Sequence, residues 1–215
     1  MDQNLYPTDE FSARNVVSSE TVYDGRIWNV VHEEVELASD GPRIARDFVA
    51  HPGAVAVVVL DETDRILLVN QYRHPVGMTL WELPAGLLDV AGEAPLDAAK
   101  RELWEEADRR AEDWAVLTDF FLSPGSSSEA MRIFLARNSA LVPPTERHER
   151  TEEEAEMKFG WVPLDQAVNA VLTGRIHNPS AVVGILATQA AKAQGFAQLR
   201  EADAPFEAHP GLRSG

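Results

Sequence analysis

Residues 86–109 read GLLDVAGEAPLDAAKRELWEEADR and are the most informative part of the chain. On a helix, Glu102 and Glu106 are i,i+4 neighbours and Glu105 lies one turn from Glu102, so three like charges share one patch. Their repulsion requires a positive partner, and a hard divalent cation is the natural candidate. A glycine-containing turn precedes the helix, which is the layout expected where metal-bound phosphate meets a loop and a helix N-terminus.

The helix is predicted over about residues 94–108. Its apolar positions recur at spacings of 3, 4 and 4 and predict one buried face, made of Leu96, Ala99, Leu103 and Ala107. This face should direct the acidic patch away from the core. Arg101, beside the patch, can pair with Glu93 or Glu105 and hold the carboxylates in place.

The stretch resembles the Nudix box, whose family pattern is G-x5-E-x7-R-E-U-x-E-E-x-G-U, where U is apolar. Seven positions match, namely Gly86, Glu93, Arg101, Glu102, Leu103, Glu105 and Glu106. A solvated helix face would be the better explanation of an isolated RExxEE, but not of all seven matches with the flanking segments. Two features depart from the pattern. Six residues rather than five separate Gly86 from Glu93. At the end of the helix, Asp108 and Arg109 replace the family's glycine and apolar residue. Because Asp tolerates a left-handed helix cap, these departures concern the helix end and not the carboxylates.

The resemblance implies the α+β class, with a Nudix-type α/β/α sandwich around a mixed sheet and a small N-terminal antiparallel β domain. We divide the chain into residues 1–45, 46–195 and a mobile tail, 196–215. Alternating patterns in 20–37 and in RIARDFVAH, with turns at Asp24-Gly25 and at 39–42, predict two or three antiparallel strands. Such a sheet is marginal alone and should pack on the main domain or on a second subunit.

The main domain contains apolar runs that predict further strands. AVAVVVLD and RILLVNQYR read as strands buried on both faces. Residues 114–122 and 130–137 should flank the loop SPGSSSE, and FGWVPL should form a short strand. Asp165 is expected to cap the helix DQAVNAVL, which ends at Gly174. Asn178-Pro179 is expected to start the last helix.

Composition excludes several classes of function. The net charge of −16 argues against binding of nucleic acid or an anionic membrane through a broad basic surface. No cysteine occurs, which excludes disulfides, thiolate nucleophiles and Cys-zinc sites. No apolar run reaches membrane-spanning length, and the polar start MDQNLYPTDE does not resemble a signal peptide. We therefore expect a cytoplasmic enzyme.

Segments around the box indicate a substrate. Four segments resemble bacterial ADP-ribose pyrophosphatases that carry an added N-terminal strand domain, namely HPGAVAVV, QYRHPVG, LWELPAG and FFLSPGSSSE. Pro124 in the last segment lies near the position where that subfamily carries a marker proline. The resemblance implies hydrolysis of ADP-ribose to AMP and ribose 5-phosphate with Mg²⁺ or Mn²⁺, by a homodimer. Hydrolysis of another nucleoside diphosphate sugar is a second hypothesis. A non-catalytic module that senses ADP-ribose is a third, although such modules often lose box carboxylates that this chain retains.

Site residues follow from the resemblance and from position. The metal ligands are expected to be Glu102, Glu105, Glu106 and the backbone carbonyl of Ala85, since Mg²⁺ prefers oxygen ligands. The proton acceptor from the attacking water is expected in the loop TEEEAEM. Glu154 is preferred over Glu153 there, with His148 a weaker candidate and Glu105 an alternative. Arg101 supports the carboxylates.

Substrate contacts are predicted at Arg73, which ends a strand where a guanidinium could reach a phosphate, and at Arg46. A surface ion pair is the alternative reading for both arginines. Trp28 could stack on adenine, reaching the partner's site in a dimer, or could pack in a core. Glu82 could contact substrate or metal, or be a plain strand-end charge. Further substrate contacts are expected from the box and from the SPGSSSE loop, at Gly86, Ser126 and Glu129.

Overall fold

A computed structural model describes residues 7–39, 41–149 and 157–213 of the chain. The chain divides into two compact units, one made of residues 1–50 and 125–127 and the other of residues 51–124 and 128–215. The division falls after residue 50 and not after residue 45, because the last strand of the first unit continues to Ala50.

The first unit is a three-stranded antiparallel sheet in the order β1-β2-β3. Its strands are β1 (Asn15–Asp24), β2 (Asn29–Glu36) and β3 (Arg43–Ala50). The predicted turn after Asp24 is confirmed, and there the Gly25 N–H donates to the Trp28 carbonyl at 3.1 Å. The N-terminal antiparallel sheet expected from the sequence is therefore present.

The second unit is built on a five-stranded mixed sheet in the order β11-β8-β9-β4-β7. Its strands are β4 (Ala54–Val59), β7 (Ala85–Leu87), β8 (Arg109–Phe121), β9 (Ala130–Leu141) and β11 (Arg200–Glu201). β4 runs parallel to β9, and the other pairings are antiparallel. All six residues of β4 are buried, as its continuous apolar run predicts.

A second sheet of the same unit has the order β10-β5-β6. It contains β5 (Arg65–Arg73), β6 (Met78–Glu82) and β10 (Lys158–Pro163). β5 pairs antiparallel with both neighbours. Glu82 at the end of β6 leads into the turn before β7, so this sheet delivers the chain to the first residue of the box.

The described residues of the second unit also form three α-helices: α1 (Pro95–Ala107), α2 (Leu164–Leu172) and α3 (Pro179–Ala193). Successive residues of β4 face opposite sides of the sheet. Val55 and Val57 pack with α1, whereas Ala56 and Val58 pack with α2 and α3. The sheet thus lies between helices, which confirms the expected α/β/α sandwich.

Of the starts predicted for the two C-terminal helices, one is wrong. Asn178 caps α3, because its side chain accepts from the Ala181 N–H at 2.9 Å. Asp165 does not cap α2, since β10 runs directly into the helix and Pro163 occupies the cap position. The Asp165 carboxylate instead accepts from the Gln166 N–H inside the first turn.

The end of α1 is formed by Asp108, which replaces the box glycine. Its φ of 51° and ψ of 37° are left-handed, and its N–H reaches the carbonyls of Leu103 and Trp104. This confirms that Asp takes the conformation in which the family pattern has glycine. β8 therefore begins immediately at Arg109, five residues earlier than the apolar pattern indicated.

Residues 200–209 of the tail, which was expected to be mobile from residue 196, pack against β8 and β9. β11 pairs with β8, and Phe206 and His209 are buried. The buried guanidinium of Arg132 donates to the carbonyl of Ala204 at 2.5 Å. The expectation was wrong because isolated anchors on a polar segment produce no periodicity. No helix in the described part of the chain is long and apolar enough to cross a membrane.

Candidate active site

Gly86 and Glu102 form the closest contact between β7 and α1. A methyl group built on Gly86 would overlap the Glu102 carboxylate and would lie 2.6 Å from its Cγ. Only glycine therefore lets this side chain lie across the strand. The first and fourth matched positions of the box are thus coupled by close packing.

Glu106 also turns toward β7, where its carboxylate accepts from the Ala85 N–H at 2.9 Å. Glu102 and Glu106 are only 9% and 5% exposed. The expectation that the helix directs the acidic patch off the core is therefore wrong for these two residues. They face the strand because Gly86 leaves space and the Ala85 N–H offers a donor, and burial of a carboxylate requires such a partner.

Arg101 holds the carboxylates together. Its Nε and Nη2 donate to the two oxygens of Glu93, each at 2.9 Å, which is a bidentate pair. Its Nη1 donates to Glu102 at 2.5 Å and to Glu105 at 3.0 Å. The predicted pairing of Arg101 is confirmed for both proposed partners, and Glu102 is a third.

The same contacts shift the ionisation of both ends of the bidentate pair. Hydrogen bonding from Arg101 lowers the pKa of the Glu93 carboxyl below its ordinary value, against the opposing effect of burial. The pKa of the Arg101 guanidinium is raised, chiefly by its hydrogen bonds to Glu93. Both groups are therefore charged at neutral pH, and Glu93 remains an anchor for the guanidinium.

Within residues 7–39, 41–149 and 157–213, no three Asp, Glu or His side chains stand ready as a metal-binding cluster. The reason is local, since the Arg101 guanidinium bridges Glu102 and Glu105 while Glu106 faces Ala85. The donors themselves are carboxylate and carbonyl oxygens, which a hard divalent cation prefers. The space above Gly86, which a Cβ would fill, is occupied by one of these carboxylates. In its donor chemistry, the residue set fits such a cation.

Arg109 occupies the last position of the box, where the family pattern has an apolar residue, and its contacts explain why an arginine is accommodated there. Its guanidinium lies over the ring of Trp161, with 4.9 Å from Cζ to the ring centroid. Burial lowers its pKa. An arginine stacked on an indole presents its apolar face to the protein, so it can stand at an apolar position. Trp161 lies 52 residues away in β10, and the sequence offers no signal for the pairing.

Arg73 and Glu82, both predicted as substrate contacts, are brought together. The guanidinium donates to the two carboxylate oxygens at 3.0 and 2.7 Å. Glu82 is 2% exposed, so it is not a plain strand-end charge. Buried carboxylates of this kind need a hydrogen-bonded cation, which Arg73 supplies. The ion-pair alternative is thus observed for Arg73, and its role toward substrate stays a prediction.

Glu129 lies beside His51, which was not among the site residues predicted from the sequence. The His51 Nε2 is 3.6 Å from the Glu129 carboxylate, and the His51 Nδ1 accepts from the Gly53 N–H. Burial lowers the pKa of His51 to about 4 and raises that of Glu129. His51 is therefore neutral at pH 7 with its proton on Nε2, facing Glu129. Its place before a buried strand was the only available signal.

The other substrate contacts and the two preferred bases predicted for the site lie in the first unit or outside the described residues. In the first unit, Trp28 follows the β1–β2 turn and is 40% exposed, so it is not a core residue there. Arg46 is exposed on β3 and donates to the carbonyl of Ala45. Ser126 accepts the Val49 N–H through its carbonyl. Glu153 and Glu154 lie outside the described residues.

The NUDIX domain model matches residues 50–182. This chain belongs to the Nudix family. The match begins at the last residue of β3 and includes the whole box, so the family resemblance seen in the sequence is confirmed. As a family, Nudix hydrolases use divalent metal ions.

Two curated Nudix relatives cover most of the chain. An ADP-ribose pyrophosphatase of Mycobacterium tuberculosis is 44% identical over 194 residues, or 90% of this chain and 91% of the relative. An ADP-ribose pyrophosphatase of Bacillus subtilis is 32% identical over 79% of this chain and 89% of its own length. A solved structure of an ADP compounds hydrolase has a TM-score of 0.70 at 22% identity, covering 87% of this chain and 99% of that one. That structure supports the fold.

Proposed function

We propose that this Nudix hydrolase cleaves the pyrophosphate bond of ADP-ribose, giving AMP and ribose 5-phosphate. The observation that carries the proposal is the presence of all the box carboxylates in one connected group. Glu102 and Glu106 face β7. Arg101 holds Glu93, Glu102 and Glu105. Support for the substrate comes from the relatives of 44% and 32% identity, which are named for ADP-ribose and span most of the chain.

Mg²⁺ or Mn²⁺ is the proposed cofactor. Glu102, Glu105, Glu106 and the Ala85 carbonyl would hold it. When bound, a divalent cation neutralises pyrophosphate charge and lowers the pKa of the attacking water. Gly86 and the Ala85 N–H contribute by holding two of these carboxylates against β7, and Arg101 by orienting them from the other side.

The proposed general base is Glu154, with Glu153 as the second candidate. A base that acts only in the transition state affects kcat and leaves KM little changed. Replacement of Glu154 by Gln should therefore lower kcat strongly. Glu149→Gln is the matched control, because it neutralises a nearby exposed glutamate and should have almost no effect. Wild-type kcat in Glu153→Gln, Glu154→Gln and the double variant would point to Glu105 instead.

Arg73 and Glu82 are proposed to act as one unit at the substrate phosphates. The guanidinium is partly exposed, whereas its carboxylate partner is buried, so the pair presents the cation outward. Glu129 with its raised pKa, Gly86 and Ser126 are the other proposed contacts of the second unit and the SPGSSSE loop. The outward-facing Arg73 guanidinium, together with a bound divalent cation, would let an anionic diphosphate bind despite the net charge of −16.

We also propose a homodimer in which residues 20–45 contribute to the partner's adenine site through Trp28, with Arg46 near the phosphates. A three-stranded sheet needs a covered face for stability. The first unit instead exposes large apolar side chains, among them Val22, Tyr23 and Ile27. Such a surface favours association. Sedimentation at micromolar concentration tests the dimer, and a fully active monomer would exclude a shared site.

The decisive experiment compares ADP-ribose, ADP-glucose, GDP-mannose and dGTP with Mg²⁺, with Mn²⁺ and with chelator. The proposal predicts the highest kcat/KM for ADP-ribose and no turnover without metal. Preference for another nucleoside diphosphate sugar would support the second hypothesis, and preference for dGTP would reject the substrate assignment. Tight ADP-ribose binding without turnover would indicate a sensing module. The cytoplasmic location and the absence of nucleic-acid and membrane partners stay predictions.

A further inference from the structure

A histidine close to the C-terminal end of the described chain packs against the turn that leads into β4. His209 is only 8% exposed, and its Nε2 lies 2.6 Å from the carbonyl oxygen of Pro52. Its Nδ1 accepts from the Gly211 N–H at 3.1 Å. Because a carbonyl oxygen can only accept and a backbone N–H can only donate, these two partners place the ring hydrogen on Nε2. His209 therefore donates to the turn.

The imidazole lies so close to Gly53 that no side chain fits between them. A Cβ built on Gly53 would lie 2.4 Å from the His209 Nε2, and the φ of 86° at this residue also favours glycine. The Gly53 carbonyl accepts from the Leu88 N–H at 3.0 Å. From there β4 pairs with β7, where Val55 lies opposite Gly86. The imidazole is therefore placed at the first hydrogen bond of the strand pair that carries the box glycine.

His209 also borders the loop of the box. Together with Leu212 and residues 88–95, it lines a cavity of about 380 Å³. This loop carries Glu93, which anchors the Arg101 guanidinium through two hydrogen bonds of 2.9 Å. Arg101 in turn donates to two carboxylates of the helix. The C-terminal segment thus lies beside both parts of the chain that position the box carboxylates, the strand β7 and the loop.

The segment that carries His209 is itself held by β9. The Arg132 guanidinium of that strand donates to the carbonyls of Ala204 and Pro205 at 2.5 and 2.8 Å. Its Cζ lies 4.4 Å from the centroid of the buried Phe206 ring, which meets the His209 ring with 5.4 Å between centroids. His209 therefore reaches the start of β4 from a fixed support within the same unit.

We propose that His209 is a positioning residue for the hydrolysis: its hydrogen bond to Pro52 fixes the start of β4 and, through it, the strand and loop of the box. This inference rests on the proposed function, in which the box carboxylates hold the metal. Groups at a catalytic site must stay within about 0.5 Å of their working positions, and a displacement of about 1 Å can lower the rate about 100-fold. The box carboxylates take their positions from β7 and from Arg101, so loss of the support behind them should slow the reaction.

Two amides of different length separate the hydrogen bond from the other properties of the histidine. The Gln amide nitrogen is as many bonds from Cα as the His Nε2, so His209→Gln keeps a donor within reach of Pro52. His209→Asn carries the same amide one bond closer to the backbone and should not reach it. Thr188→Val is the matched control, because it removes a buried hydrogen bond of 2.7 Å from a side chain to a backbone carbonyl, that of Gly184 within α3.

The experiment measures kcat, KM, thermal unfolding and amide exchange for the three variants, with ADP-ribose and Mn²⁺. His209→Asn should lower kcat about tenfold with KM within about twofold of wild type, as for loss of one positioning hydrogen bond. Amide exchange in residues 85–88 should accelerate in this variant. His209→Gln should keep kcat within about threefold of wild type. Thr188→Val should unfold about 2–4 °C below wild type, as His209→Asn should, yet keep wild-type kcat and exchange.

Four results would overturn the proposal. They are wild-type kcat and exchange in His209→Asn, equal losses of kcat in the Asn and Gln variants, an equal loss of kcat in Thr188→Val, and a raised KM with unchanged kcat. If the wild type does not hydrolyse ADP-ribose, the proposed function fails, while amide exchange in residues 85–88 still decides whether His209 fixes β7.

Phe206→Leu keeps the inference testable if His209→Asn does not fold. This change keeps the imidazole but removes the aromatic ring that packs against it. It should lower kcat about threefold and accelerate amide exchange in residues 85–88, because a ring contact of this kind is weaker than the hydrogen bond it supports. Wild-type kcat and exchange in Phe206→Leu would contradict the proposed support of the box through His209.

Discussion

Gly86→Ala tests whether the packing of Glu102 on β7 is needed for activity. The added methyl would lie 2.6 Å from the Glu102 Cγ, whereas ordinary van der Waals contact is at about 3.4–4 Å. The side chain must therefore move by about 1 Å or more, and its carboxylate must leave the strand. Its bond from Arg101 Nη1, now 2.5 Å, is lost in that movement.

The expected cost comes from two sources. Overpacking of a well-filled site costs about 1–3 kcal/mol, and a hydrogen bond to a charged group contributes about 1.5–3 kcal/mol. Because Glu102 is the end of a flexible side chain, it can relax, and we expect the free energy of unfolding to fall by about 2 kcal/mol. Displacement of one ligand of the proposed metal should lower kcat about 100-fold, equivalent to about 2.7 kcal/mol.

The assay combines chemical denaturation, Mn²⁺ titration and steady-state hydrolysis of ADP-ribose. Gly160→Ala in β10 is the control, since a methyl there meets only the Trp81 ring at 3.6 Å. It should leave kcat and Mn²⁺ affinity unchanged. A Gly86→Ala protein with wild-type kcat and Mn²⁺ affinity would refute the argument that this glycine is required by the Glu102 carboxylate.

Three further predictions follow from the site and the core. Glu106→Gln should keep the fold but lower kcat by orders of magnitude and weaken Mn²⁺ binding, and near-normal turnover would exclude Glu106 as a ligand. Arg132 is 1% exposed and donates two hydrogen bonds to Asp119. Arg132→Ala should lower the free energy of unfolding, measured by denaturation, by about 3–5 kcal/mol, because it leaves a buried carboxylate without its cation. A decrease of less than about 1 kcal/mol would contradict this role of the pair. His51 binds its proton near pH 4 when folded and near pH 6.5 when unfolded, so it favours unfolding as pH falls through this range. His51→Gln should therefore flatten the fall in stability between pH 6.5 and 4, and identical pH curves would show that His51 does not contribute.

The local features of α1 could be predicted from sequence because they depend on neighbours along the chain. Its apolar spacing, its pairing of Arg101 with Glu93 and Glu105, and the left-handed Asp108 all involve residues within about two helical turns. The continuous burial of β4 was readable for a similar reason, since a run of apolar residues needs no partner to be recognised. The family pattern then extended these local signals to a whole fold.

Contacts between residues that are distant in sequence could not be predicted. Arg109 meets Trp161, and Arg132 meets both Asp119 and the chain near Ala204, across separations that no local pattern encodes. The tail was misjudged for this reason, because its order depends on a buried cation elsewhere in the fold. Such contacts are selected by the geometry of packed layers, in which a polar group is buried only where a partner happens to be in reach.

Residue type and spacing along one helix are enough to predict the Nudix fold, the carboxylates of the site and the arginine that accompanies them. The direction in which those carboxylates face depends instead on the packing of α1 against β7. Glu102 and Glu106 turn inward because β7 places a glycine and a backbone N–H donor opposite the helix. The same applies to Glu82 and Arg73, whose pairing depends on the register of β5 against β6. A sequence pattern therefore identifies the charged side chains, whereas the packing of a second strand or helix determines their partners and their burial.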